Sequence, residues 1–195
     1  APPEIYTSDV SSAASDVYKR QNLERIHRNA QFILKLSEAL FRPFKESGPT
    51  TRLDLNRLLN EALESADLPD DIEIVCNYEK QLPLVNCSLL LLDIFLELIT
   101  NACKAMANRK RRRLEVSSRS EQIDGLPWVM VKISDTGKGM PAHHLDHLWN
   151  LFQPSECGLG FGLWWMRTFI ERQGGTIECQ SQPDNGATFI VRLPL

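Results

Sequence analysis

The chain has 195 residues, 43% hydrophobic and 24% charged, with a formal net charge of −3. That length and balance suit one globular domain with a helical extension. The slight acidity gives no general basis for nucleic-acid binding, and no apolar run reaches the roughly 20 residues that span a bilayer. An N-terminal basic-then-apolar signal pattern is absent. The five cysteines, Cys76, Cys87, Cys103, Cys157 and Cys179, are scattered without the close spacing of a zinc or redox motif. They read as reduced thiols of a cytoplasmic protein.

Residues 1–21 are rich in Ser, Ala and Pro, lack apolar periodicity, and read as a disordered tail or cloning remnant. From residue 22 to 41 the apolar positions Leu23, Ile26, Ala30, Ile33, Leu34 and Leu40 fall near a three-four spacing, which predicts an amphipathic helix. Pro43 interrupts the pattern and Gly48-Pro49 ends it, so the helical unit is 22–47. Its apolar stripe needs a partner, either the following domain or a second copy of itself. His27 on this helix has no acidic residue directly after it and reads as a solvated side chain.

The next segments alternate short strands and helices. Residues 51–55 are predicted as a strand, with Asn56 capping a helix to about residue 66. Residues 72–78 alternate as a strand, and Pro83 keeps the chain extended. Ser88 is expected to cap a helix to about residue 108, apolar at Leu89 to Leu92, Ile94, Phe95, Leu96, Leu98 and Ile99 and so largely buried. On it Glu97, Asn101 and Lys104 share one face. An acid, an amide and an amine on a buried helix are costly unless they line a cleft. One reading gives the Asn101 carbonyl to magnesium, Lys104 to phosphate, and Glu97 to a nucleophile. The other is a Glu–Lys network along the helix surface. The basic run 109–113 follows and reads as a solvated loop, where cations suit the helix dipole.

Residues 114–122 and 128–134 are predicted as a hairpin around Asp124-Gly125. The second strand delivers Asp135-Thr-Gly-Lys-Gly-Met140. Asp135 can accept a hydrogen bond from an amine, and Gly137 and Gly139 let a flat ligand approach the main chain; a plain turn is the alternative. Pro141 is expected to open a helix over 142–152. On it His143 and His147 lie four apart, but no nearby Glu or Cys completes a metal set. Gly158-Leu-Gly160-Phe-Gly162-Leu163 then opens a helix to about residue 172, a pattern that offers free N–H groups to an anion. Gly174-Gly175 ends it, and residues 176–182 and 186–193 form a last hairpin around Asp184-Asn-Gly186.

Together the Glu-x-x-x-Asn-Ala-x-Lys helix, the Asp-x-Gly-x-Gly loop after a strand, the Gly-x-Gly-x-Gly-Leu helix start and Gly186-Ala-Thr-Phe189 resemble the ATP-binding domain of sensor histidine kinases. That domain belongs to the Bergerat-fold ATPases, and the resemblance covers residues 51–195. It implies a two-layer α/β sandwich, a mixed sheet with three main helices on one face. It also implies ATP and Mg2+ as ligands. Asp135 would bind the adenine amino group with Thr188 helping through water, and Gly137 and Gly139 would shape the pocket. Asn101 would hold magnesium, Lys104 would contact phosphate, and Gly158, Gly160 and Gly162 would wrap the phosphates. Glu97 matches the catalytic acid of related ATPases. Residues 22–47 would be the second helix of a dimerisation hairpin.

Two departures accompany the resemblance. No His followed by an acid is present, so the acceptor histidine and the response regulator would be separate partners. Between the glycine boxes, residues 151–157 run almost directly into Gly158, with Ser155 where a second phenylalanine is expected. Either the lid is truncated, which would weaken retention of ATP, or residues of it are missing from this sequence. The expected function is γ-phosphoryl transfer from ATP to a histidine outside this chain. A nucleotide-binding pseudokinase and an ATP-hydrolysing or serine-phosphorylating relative are the alternatives.

Overall fold

The computed structural model of the chain describes residues 50–150 and 162–195. The helix expected over 22–47, along with Gly158, Gly160 and the segment 151–157 between the glycine boxes, lies outside those residues. One compact unit spans Ser47–Leu195. Its described elements are β1 (Thr51–Leu53), α1 (Leu55–Ser65), β2 (Glu73–Tyr78), β3 (Val85–Cys87), α2 (Leu91–Met106), β4 (Arg113–Ile123), β5 (Leu126–Asp135), α3 (Ala142–Leu145), α4 (Gly162–Arg172), β6 (Thr176–Ser181) and β7 (Ala187–Pro194).

Five strands form a mixed sheet in the order β2-β4-β5-β7-β6. β2 runs parallel to β4; the other neighbours are antiparallel. Strand alternation sorts the sheet into two faces. Leu114, Val116, Val129, Val131, Ile133, Phe189 and Val191 are buried on one face, in a single core with residues of α1, α2 and α4. The expected two-layer sandwich with three main helices on one face is therefore the observed one. A small second sheet, β1 paired antiparallel with β3, was not anticipated.

α2 is the central helix, and its spacing explains why. Leu91, Ile94, Phe95, Leu98, Ile99, Ala102 and Met106 recur every three or four residues and are almost wholly buried. Each large side chain buried in this way contributes about 1.5–3 kcal/mol of apolar transfer. Ser88 does not cap this helix as expected: the cap position is Leu90, and the Ser88 Oγ accepts the Leu90 N–H at 3.4 Å in the preceding turn. Asn56 is likewise not the cap of α1. Asp54 is, accepting the N–H groups of Asn56 and Arg57 at 3.0 and 3.2 Å. Asn56 turns inward instead, donating to the Glu79 carbonyl at 2.9 Å and accepting from Ser118 Oγ at 2.6 Å.

The turns follow their residues. Asp124 and Gly125 both take positive φ, 52° and 77°, as a two-residue hairpin demands. α4 ends where Gly174 adopts φ 75° and the N–H groups of Gly174 and Gly175 return to the carbonyls of Glu171 and Ile170. The helix expected after Pro141 is shorter than predicted. α3 has one turn, with Pro141 at its cap position, and residues 146–150 continue as separate turns closed by three-residue bonds such as Asn150 N–H to the His147 carbonyl.

The basic run also departs from expectation. It is a set of ties rather than a freely solvated loop. Arg112 grips both carboxylate oxygens of Asp71 at 2.9 and 3.0 Å, Arg113 begins β4 and reaches Glu73 and Glu115, and Arg109 reaches Asp184. Exposed pairs of this kind contribute about 0–1 kcal/mol each. Their effect is to place the end of α2 against the sheet. All four described cysteines, Cys76, Cys87, Cys103 and Cys179, are free thiols. No described helix is long and apolar enough to cross a membrane.

Candidate functional site

Asp135 is the last residue of β5 and lies on the helix-covered face, 8% exposed. Its Oδ1 accepts the N–H of Gly137 at 2.7 Å and of Ala187 at 3.3 Å. Burial raises the carboxyl pKa, and these two N–H groups pull against that rise. The half-buried Cys179 thiol near it is pushed up to about 12 by burial and by the charge of Asp135, so it remains a thiol at neutral pH.

The loop after Asp135 fits closely between two walls. The Thr136 Oγ1 donates to the Arg111 carbonyl at 3.0 Å and accepts the Arg113 N–H at 3.0 Å. The Lys138 N–H reaches the Ala105 carbonyl at the end of α2, and its own carbonyl accepts the Asp184 N–H at 2.8 Å. A Cβ at Gly137 would lie 2.7 Å from that of Ala105, and one at Gly139, where φ is 63°, would lie 1.9 Å from the Gln182 carbonyl oxygen. Only glycine fits either position. The Met140 N–H donates to the Ser181 Oγ, which in turn donates to the Gly186 carbonyl at 2.6 Å.

α2 provides a second wall. Glu97 and Asn101 are half-buried and Lys104 is exposed. Among the described residues none of these three side chains has a hydrogen bond or ion pair, so the alternative Glu–Lys network is not formed. A Cβ on Gly162, the first described residue of α4, would sit 3.6 Å from Glu97 Oε1. The polar face of α2 thus meets the start of the helix that follows the second glycine cluster.

Thr188 is not brought to Asp135. It pairs with Ser134, and their hydroxyls lie 2.9 Å apart on the opposite face of the sheet. The residue that does reach Asp135 from β7 is Ala187, through its main-chain N–H. Ala105, Ser181 and Ala187 were not read as site residues. A contact made by backbone or by an ordinary small side chain leaves no signature in residue type. Among the described residues no three His, Cys, Asp or Glu side chains gather as a metal centre. His147 instead lies 3.2 Å from the Asn150 amide.

A mixed sheet with helices on one face, a buried acid at a strand end and a following loop with two positions that admit only glycine define an α/β sandwich with its candidate site at that strand end. Residues 87–195 match the model of the histidine kinase-, DNA gyrase B-, and HSP90-like ATPase family, and the chain belongs to that family. It is 32% identical over 194 residues to the adaptive-response sensory kinase SasA of Synechococcus sp. (strain CC9311), covering 92% of this chain and 47% of that protein. The sensor histidine kinase ZraS of Escherichia coli (strain K12) is 30% identical over 182 residues, covering 87% of this chain and 38% of its own. The chain thus spans about half, or less, of the curated relatives it matches.

Solved structures share the fold. The mycobacterial sensor histidine kinase MprB superposes with a TM-score of 0.62 at 22% identity, over 74% of this chain and 97% of that one. Full-length ShkA, solved in complex with AMPPNP, gives 0.66 at 21% identity over 90% and 38%. Family, relatives and fold together identify an ATP-binding catalytic domain of the sensor histidine kinase type.

Proposed function

We propose that this chain binds ATP with magnesium and passes the γ-phosphoryl group to a histidine outside it, on an acceptor helix that in turn serves a response regulator. The observation that carries the reading is the buried Asp135 carboxylate. It is fixed by two main-chain N–H groups beside Gly137 and Gly139, where a side chain cannot be placed. Oδ1 is held by the protein, and the other oxygen accepts the adenine amino group. The Ala187 N–H positions Asp135 from β7, the strand on which the sequence had suggested Thr188.

Asn101 fits a magnesium ion shared with phosphate oxygens. Its amide lacks a protein partner among the described residues, and magnesium favours one or two protein oxygens plus phosphate over an all-protein cage. Bound there, the ion would neutralise charge on the transferring phosphoryl group. Lys104 adds an exposed ammonium to the same end, and Gly162, with Gly158 and Gly160 before it, offers main-chain N–H groups. The attacking imidazole nitrogen forms the new N–P bond as the bridging P–O bond breaks and ADP leaves with the electron pair. Glu97 takes the ring proton. Residues 22–47 associate with a second copy through their apolar stripe, and the site works in the cytoplasm.

Incubation with γ-labelled ATP and a separate acceptor-histidine hairpin tests the reading. Label on the hairpin supports it. Release of free phosphate alone favours the hydrolase, and tight binding without turnover favours a nucleotide-sensing module. Sedimentation of Ile26→Lys/Ile33→Lys against wild type tests the association: the variant should be monomeric where wild type is dimeric.

A further inference from the structure

Arg109, in the basic run after α2, makes a closed set of contacts around the loop that carries Gly137 and Gly139. Its backbone N–H is bonded to the Met106 carbonyl at 2.9 Å, which fixes it to the helix end. Its guanidinium forks onto one residue, Nη1 donating to Asp184 Oδ1 at 2.8 Å and Nη2 to the Asp184 carbonyl at 2.7 Å. Asp184 holds the left-handed conformation, φ 63°, in the β6–β7 turn. Its N–H donates to the Lys138 carbonyl, and the Lys138 N–H donates to Ala105. The path runs from helix end to turn, from turn to glycine loop, and from glycine loop back to the helix. A shallow cleft of about 530 Å³ beside it is lined by Arg109, Lys110, Thr136 and Asp184.

We infer that Arg109 and Asp184 form a latch that positions the base-binding loop. The β6–β7 turn leads directly into Gly186 and Ala187, and Ala187 holds Asp135. Gly139 meets Gln182 on the same turn. With the turn held to α2, the two sides of the base site keep one separation. With the latch open, Asp135 still exists but its second N–H donor is free to drift. Three features favour the specific role over a passive surface pair. The contact is a fork rather than a single bond, it engages a main-chain carbonyl, and it fixes a non-glycine residue at positive φ. A forked guanidinium carries geometric information that an ammonium does not. Neither residue touches nucleotide in this scheme; both act through the loop.

The inference rests on the proposed ATP site, and the test separates the two. Calorimetric titration of the full chain with ATP and with ADP is compared for wild type, Arg109→Ala, Arg109→Lys and Lys110→Ala, with melting temperatures taken without nucleotide. Arg109→Ala should weaken ATP and ADP by the same factor, about two- to fivefold, the scale of an exposed ion pair passed on through the loop. Equal losses place the defect at the base rather than at the γ-phosphate. Arg109→Lys should recover part of the affinity, since one of the two bonds can re-form, and Lys110→Ala should bind as wild type. Arg109→Ala that melts lower yet binds normally overturns the latch, as does a Lys110→Ala loss of equal size, which would mean bulk charge. If wild type binds neither nucleotide, the ATP reading falls and the latch with it.

Discussion

Replacing Asp135 by Asn separates a ligand-binding acid from a structural one, because the two roles predict opposite changes. Oδ1 is committed to the Gly137 and Ala187 N–H groups at 2.7 and 3.3 Å. Those donors hold the Asn carbonyl in the same place and leave its NH2 where the second carboxylate oxygen was. An adenine amino group then meets a donor instead of an acceptor. The loss is that of a charge-assisted hydrogen bond, about 1.5–3 kcal/mol, or roughly 10- to 150-fold in Kd. The empty domain should not suffer in parallel. Burial raises the Asp135 pKa, so the ionised form is a cost to the folded state that Asn removes. Weaker acceptance of the two N–H bonds offsets that gain, which keeps the variant within about 1 kcal/mol of wild type.

The pH dependence has a definite sign. The cost of the buried charge is absent below the ordinary carboxylate range, where Asp135 is protonated in both folded and unfolded chains. It grows as pH rises through the raised folded value. The stability of Asn relative to wild type should therefore be best near neutral pH and decline towards about pH 4. Calorimetry with ATP and thermal melts without it, both across pH, give the two readouts. Unchanged affinity would refute Asp135 as the base reader. A melting temperature that falls in step with affinity would show a structural anchor instead.

Asn101→Asp should weaken ATP·Mg binding with the fold intact, since it places a negative charge beside the triphosphate; Asn101→Ala should remove the ligand without that repulsion and so hurt magnesium-free ATP less. Titrations with and without magnesium decide it. Gly139→Ala should destabilise the domain by at least about 1–2 kcal/mol from the left-handed backbone alone, with the clash against the Gln182 carbonyl added, and chemical denaturation measures it. Asp54→Ala should cost about 1 kcal/mol through loss of the α1 cap and leave ATP affinity unchanged; loss of binding there would mean that α1 is coupled to the site.

The parts of this protein that its sequence alone determined are those whose signal is local. Apolar spacing placed α2 and its buried face. Asp124-Gly125 and Asp184-Asn-Gly186 marked turns that need positive φ. Asp135 with Gly137 and Gly139 marked the end of a strand and a tight loop, which the structure packs so closely that only glycine fits. Tertiary structure decided what depends on a partner distant in the chain. Asn56 was a plausible cap until Ser118 and Glu79 claimed its side chain, which left the role to Asp54. Thr188 suited the site by residue type, but the pairing of Ser134 with Thr188 put its hydroxyl on the far face and turned the Ala187 N–H to Asp135. The run from Arg109 resembled solvated charge until folding brought Asp71, Glu73 and Asp184 to it. In each case a one-residue change of register, or one long-range acceptor, selects among local options of nearly equal free energy, and only the assembled sheet provides it.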